Sequence, residues 1–173
     1  MIIFVAGLSK SGKSTRSQYA AAQLAELEYV SVSKLLTLSG GILPVRTFAD
    51  ALFNQQLATE LLLRRVATKR HQIIDGHALI ETAEGPIPVP DSFFEWLRPS
   101  LMIYIYDQPD EIRMRRVKHG MSHSRRELIA LMAMEQAACE RVADRQGIPL
   151  DILLSPTLER FASAINRRLI VSQ

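Results

Sequence analysis

A chain of 173 residues holds one domain with a core of its own and is too short for two ordinary ones. Hydrophobic residues at 47% and charged residues at 23% are usual for a folded globular protein, and a net charge of +3 is too small an excess to argue for nucleic acid. The single cysteine, Cys139, excludes an intrachain disulfide and a cysteine metal cluster; the four histidines lack zinc-ligand spacing, and no apolar run approaches the roughly 20 residues that cross a bilayer.

The chain opens on "IIFVA" (2–6), a continuous β-branched and aromatic run that predicts a buried strand. No basic segment precedes it and a glycine motif follows, so it does not read as a signal peptide. A helix is expected from Gly12 to about Leu27, then a strand at "YVSVS" (29–33). Apolar residues at three- and four-residue spacing predict a helix from about Thr47 to Thr68. Strands follow at "QIIDG" (72–76) and "LMIYIYD" (101–107), separated by a short helix over Asp91–Leu97 that ends before Pro99. Helices from Pro109 to about Lys118 and from Ser124 to about Arg145 come next; Pro109 suits a helix start and Gly147 a helix stop. The strand "LDILL" (150–154) and a helix from Thr157 to about Leu169 complete the pattern. Strand–helix alternation repeated five times predicts a single α/β domain over 1–173, three layers with right-handed crossovers. Cys139, in "EQAACERVA", is expected as a small buried apolar residue.

Residues 7–15, "GLSKSGKST", carry the chemistry. Gly7, Gly12, Lys13 and Ser14 match G-x-x-x-x-G-K-[ST] between a predicted strand and a predicted helix, which is the context the motif requires. The glycines allow positive φ and bring backbone N–H groups onto phosphate oxygens, so the whole loop, with Ser9, Lys10, Ser11 and Thr15, is assigned to a nucleotide. Lys13 reaches the β- and γ-phosphates, Ser14 binds Mg²⁺, and the helix N-terminus adds its partial positive charge. Asp75, at the end of an apolar run, is the matching acidic partner for the metal. ATP and Mg²⁺ are the expected cofactors, and a cytoplasmic location the expected setting.

"IRMRRVKHGMSHSRRELI" gathers Arg113, Arg115, Arg116, Lys118, Arg125 and Arg126 around a break between two helices. Such a cluster suits a lid that closes over a triphosphate; Arg116 and one of Arg125 and Arg126 are the candidates, and at least half of the cluster reads as a solvated basic face.

The P-loop opening, "IIDGH", and "EGPIPVPDSFFEWLRPSLMIYIYDQPDEIRMRR" together resemble archaeal-type adenylate kinases and the related nuclear adenylate kinase/ATPase family. In such proteins a strand ends in D-x-H, matched by Asp75-Gly76-His77, before a proline-containing loop, a short helix, an apolar strand and an arginine-bearing helix. The resemblance covers most of the chain. It implies a nucleoside monophosphate kinase fold: five parallel strands, a helical acceptor insert near 34–68 and a lid near 117–126. It further implies that Arg46, in "LPVRTF", meets the acceptor phosphate, that His77 belongs to the substrate side, and that Arg116 and Arg125 clamp the donor phosphates. Gln55 and Gln56 read either as base contacts or as polar helix surface. One departure stands out: where those kinases carry an Asn-Arg pair, this chain has Glu135 and Gln136, with Arg141 one turn on.

An acceptor phosphate is already anionic and needs positioning more than a base, which favours a nucleoside monophosphate, AMP first, giving two ADP. Two rivals stay open. One is an ATPase switch acting on a protein or RNA partner, with His77 orienting water and Arg64, Arg65, Lys69, Arg70, Arg167 and Arg168 as a basic face. The other is a kinase for another small metabolite.

Overall fold

The computed structural model describes residues 1–66 and 71–171. Five parallel strands form one sheet in the order β2-β3-β1-β6-β7: β1 (Ile2–Ala6), β2 (Leu27–Ser31), β3 (His71–Asp75), β6 (Leu101–Tyr106) and β7 (Leu150–Leu154). Each expected strand forms, and the helices cover both faces as the three-layer reading requires.

The apolar runs are continuous because strand residues alternate between two buried faces. In β1, Ile3 and Val5 join β6 residues Leu101, Ile103 and Ile105 and the helical residues Ala20, Phe161 and Ile165. Those come from α1 (Lys13–Gln23) and α7 (Leu158–Val171). Phe4 and Ala6 turn the other way, towards Met102, Tyr104, Phe93, Phe94 and Cys139. That face is covered by α3 (Phe48–Val66), α4 (Asp91–Leu97) and α6 (Arg125–Gln146). Phe4, Phe93 and Phe94 meet edge to face, with Phe94 5.1 Å from each of the other two ring centroids. Cys139 is fully buried.

Local rules explain where elements begin and end. Ser31 ends β2 because its hydroxyl accepts from the Lys34 N–H (3.3 Å) and caps α2 (Val32–Leu38), so the expected strand at 29–33 sits two residues earlier. Helix α2 itself is too short for its periodicity to have been visible. Thr47 and Asp50 exchange side-chain to backbone hydrogen bonds at the head of α3. The expected end of that helix at Thr68, and the Lys69–Arg70 part of the basic face, lie outside the described residues. Pro109 opens α5 (Pro109–Val117), and Ser124 and Glu127 form a capping box on α6, which closes on Gly147 at φ 62°.

The segment expected as a proline-containing loop is instead a hairpin, β4 (Leu79–Thr82) paired antiparallel with β5 (Gly85–Pro88). A two-strand ribbon tolerates Pro86 and Pro88 because no further strand needs their missing N–H groups. The hairpin matters because it stands beside the P-loop. Leu79 packs there with Leu8, Ile112, Leu128 and Leu131 in a third small core.

Candidate active site

The loop after β1 turns on two glycines. Gly7 has φ 146°, and a Cβ there would lie 2.2 Å from the Ile105 carbonyl oxygen, so only glycine passes β6 at this point. Gly12, at φ 90°, is the N-cap of α1. Lys13 folds back across the loop, donating from Nζ to the carbonyls of Gly7 (2.6 Å) and Leu8 (3.1 Å). Burial lowers its pKa, against the pull of Asp75 and Glu135. Arg16 braces the helix start from behind, its Nε donating to the Pro156 carbonyl at 2.6 Å.

Asp75 ends β3, whose residues pair in parallel with β1. That register brings its carboxylate to the Ser14 hydroxyl, which donates to Oδ2 at 2.5 Å; Tyr29 donates to the same oxygen at 3.1 Å. A hydroxyl and a carboxylate side by side are hard-oxygen ligands, and Mg²⁺ takes one or two such protein groups with phosphate and water completing its shell. The pair fits that ion. Among the described residues no three or more His, Cys, Asp or Glu side chains gather into a metal cluster.

Glu135, at the middle of α6, is the residue whose place in the site sequence reasoning missed. It is fully buried and accepts from three backbone N–H groups: Gly7 (3.0 Å), Ala78 (2.9 Å) and Leu79 (3.0 Å). It thus ties the first residue of the P-loop to the chain following β3. Burial pushes its carboxyl up to about 7, opposed by Lys13 and the three amides. The only signal was its presence at a position where the resembled kinases carry a different pair.

His77 stands 4.0 Å from Glu135, Nδ1 to Oε1; desolvation, with Lys13 and Arg116 nearby, holds its imidazole well below its usual range.

The arginines sort themselves by partner. Arg116 is fully buried: its fork takes Glu81 of β4 in two bonds (2.8 and 2.6 Å), and Nε donates to the Ser9 carbonyl at 3.2 Å. Arg115 donates to the Lys10 carbonyl (3.2 Å) and to Asp107 (2.7 Å). Arg125 lies on the exposed first turn of α6 against Asp110 at 3.3 Å. Arg141 and Arg145 both hold Asp91 at the start of α4.

A cavity of about 790 Å³ runs from the P-loop to the space beneath α2 and α3. Of the expected site residues, Ser9, Lys10, Gly12, Lys13, Ser14, Thr15, Asp75 and His77 line it. Gly7, Ser11, Arg46, Arg116 and Arg125 are not on its wall, whereas Arg115 and Gln55 are. Arg46 is exposed; its N–H donates to Asp50 and its carbonyl accepts from Ala83, both at 2.9 Å. Gln56 is exposed.

A strand, a glycine turn and a helix that present Lys13 and Ser14 to Asp75 across a parallel sheet define a P-loop protein with the kinase-type α/β fold. The family model described as "AAA domain" matches residues 6–135, more than half of the chain, and the chain belongs to that family. Over 72 residues the chain is 36% identical to an adenylate kinase of Methanopyrus kandleri, a match covering 41% of this chain and only 38% of that protein. Shikimate kinase from Acinetobacter baumannii in complex with shikimate superposes with a TM-score of 0.70 at 15% identity, covering 99% of this chain and 94% of that one. A sugar kinase from Janibacter sp. HTCC2649 gives a TM-score of 0.60 at 20% identity, covering 97% and 93%. These two likenesses establish the fold. No helix among the described residues is long and apolar enough to cross a membrane.

Proposed function

We propose that this protein transfers the γ-phosphoryl group of ATP to a small-molecule acceptor. The observation that carries the reading is one continuous cavity whose floor is the P-loop and whose far wall is α2, α3 and the hairpin. Lys13 would leave its carbonyl partners to meet the β- and γ-phosphates, and the loop amides would hold the rest of the triphosphate. Ser14 and Asp75 would hold Mg²⁺, which neutralises phosphate charge when bound. The segment 34–68 is assigned to the acceptor and 117–126 to a lid. Arg115, which lines the cavity, would act on phosphate from its wall, with Arg116 setting the loop through the Ser9 carbonyl. Arg125 and Arg46 would reach the ligands only after movement. The buried thiol Cys139 fits a cytoplasmic protein.

Two acceptor classes divide the reading. The partial likeness to an adenylate kinase supports a nucleoside monophosphate such as AMP, meeting Arg46 and His77. The charge distribution of the cavity wall favours an uncharged hydroxyl compound instead.

The test is purified protein with MgATP and an acceptor panel, products identified by ³¹P NMR. Acceptor-dependent ADP formation that Lys13→Ala abolishes is expected. ATP consumption equal with and without acceptors sinks the kinase reading and favours an ATPase switch.

A further inference from the structure

The two halves of the cavity differ in charge. Among the described residues, its lysine and arginine side chains are Lys10, Lys13 and Arg115, all from the P-loop or α5. The opposite wall presents Val32, Leu36, Leu43, Val45, Ala58 and Phe93, with no lysine or arginine among its described residues. Arg46 stands outside that wall. Two carboxylates do line the cavity, Asp75 and Glu81.

Its polar groups are as selective as its charges. The amide of Asn54 is used up on Ile42, accepting from its N–H and donating to its carbonyl, both at 2.8 Å. Gln55 Oε1 is buried and has no hydrogen-bond partner among the described residues. It is a lone acceptor waiting for a donor. A phosphate or carboxylate in this half would lose its water against an apolar wall that has no lysine or arginine to pair with it, since Glu81 already holds Arg116, and it has no hydrogen to offer the Gln55 oxygen. An apolar body loses nothing by desolvation there, and a hydroxyl or amide N–H on it satisfies the orphaned oxygen.

Resting on the phosphotransferase reading above, we propose that the acceptor is an uncharged, largely apolar alcohol, aromatic or alicyclic, with a second hydrogen-bond donor that meets Gln55. Its reacting hydroxyl oxygen bonds to the γ-phosphorus as the bond from that phosphorus to the β,γ-bridging oxygen breaks. The electron pair leaves on ADP, and the hydroxyl proton is released to water. Above the second phosphate pKa, roughly 6, each transfer to an alcohol therefore frees a proton, whereas transfer to AMP frees essentially none.

The experiment compares 2-phenyl-1,3-propanediol and 2-phenylethanol with AMP, CMP and shikimate. Ester formation is followed by ³¹P NMR and proton release by pH-stat near pH 8, both corrected for acceptor-free ATP turnover. The diol is expected to exceed every anion in kcat/KM by roughly tenfold or more. In Gln55→Leu its KM rises to that of 2-phenylethanol with the KM for ATP unchanged, and Leu36→Arg shifts preference towards the anions. Phosphorylation of AMP, CMP or shikimate in preference to the alcohols, or of no alcohol at all, overturns the proposal and leaves the phosphotransferase reading standing if MgATP still binds in a calorimetric titration. Absence of MgATP binding removes both.

Discussion

Glu81 on the hairpin grips Arg116 on α5 through two hydrogen bonds, 2.8 and 2.6 Å, and the guanidinium they hold is wholly buried. His123, in the segment between α5 and α6, approaches both partners, 3.3 Å from Arg116 and 3.5 Å from Glu81. With the bond from Arg116 to the Ser9 carbonyl, one ion pair therefore fastens the β4–β5 hairpin, the P-loop and the segment between α5 and α6 together. Removing one partner of a buried pair strands the other charge, which costs about 3–5 kcal/mol. Glu81→Ala should lower the unfolding free energy obtained from urea titration by that amount, and Glu81→Gln, which keeps one acceptor oxygen, by less. A loss below about 1 kcal/mol would mean that Arg116 finds water on its own.

Lys13 is the side chain whose removal should separate activity from folding. Among the described residues its ammonium donates to the Gly7 and Leu8 carbonyls, so Lys13→Ala removes two hydrogen bonds and one buried charge from the loop. Phosphoryl transfer should fall by about 10²-fold or more, the scale of losing one group that stabilises transition-state charge. Circular dichroism should remain that of the native fold. Calorimetric titration with MgATP should show weakened binding; unchanged affinity and turnover would remove Lys13 from the mechanism.

The sheet was legible because its strands are buried on both faces and so spell continuous apolar runs, as "IIFVA" does with Ile3 and Val5 to one side and Phe4 and Ala6 to the other. The P-loop was legible because its glycines, lysine and serine are adjacent in sequence. Short elements were not: α2 depends on the Ser31 cap, and the β4–β5 pairing hides behind two prolines. Long-range partners were hidden too. Nothing local announces that Arg116 is held by Glu81, 35 residues away. Glu135 lies 128 residues from the Gly7 amide that it holds, and only the fold brings them together.

The Ser14–Asp75 pair predicts how the protein should depend on magnesium. Asp75→Asn removes the charge that balances the ion while keeping the side chain's size, and Ser14→Ala removes the hydroxyl next to it. Each should raise the Mg²⁺ concentration for half-maximal turnover by roughly 10–100-fold, the range seen when groups supporting a metal are lost. Titration of MgCl₂ at fixed ATP checks this. If Asp75→Asn leaves the magnesium curve where it was, the carboxylate is structural, serving Ser14 and Tyr29 alone.

Glu135 should leave a signature in the dependence of stability on pH. Its folded pKa of about 7 stands above the ordinary value of 4.5, so the native state holds this proton more tightly than the unfolded chain. Stability contributed this way is complete below pH 4.5, declines as pH rises towards 7 and is then constant. His77, whose pKa is lowered, works in the opposite direction over part of the same window, so wild type alone would blur the effect. Subtracting the unfolding free energy of Glu135→Gln from that of wild type isolates it, because the amide cannot titrate. The difference should fall by up to roughly 1 kcal/mol per pH unit across the window and level off above it. A difference that rises with pH would mean that Lys13 and the three amides outweigh burial, leaving Glu135 ionised throughout.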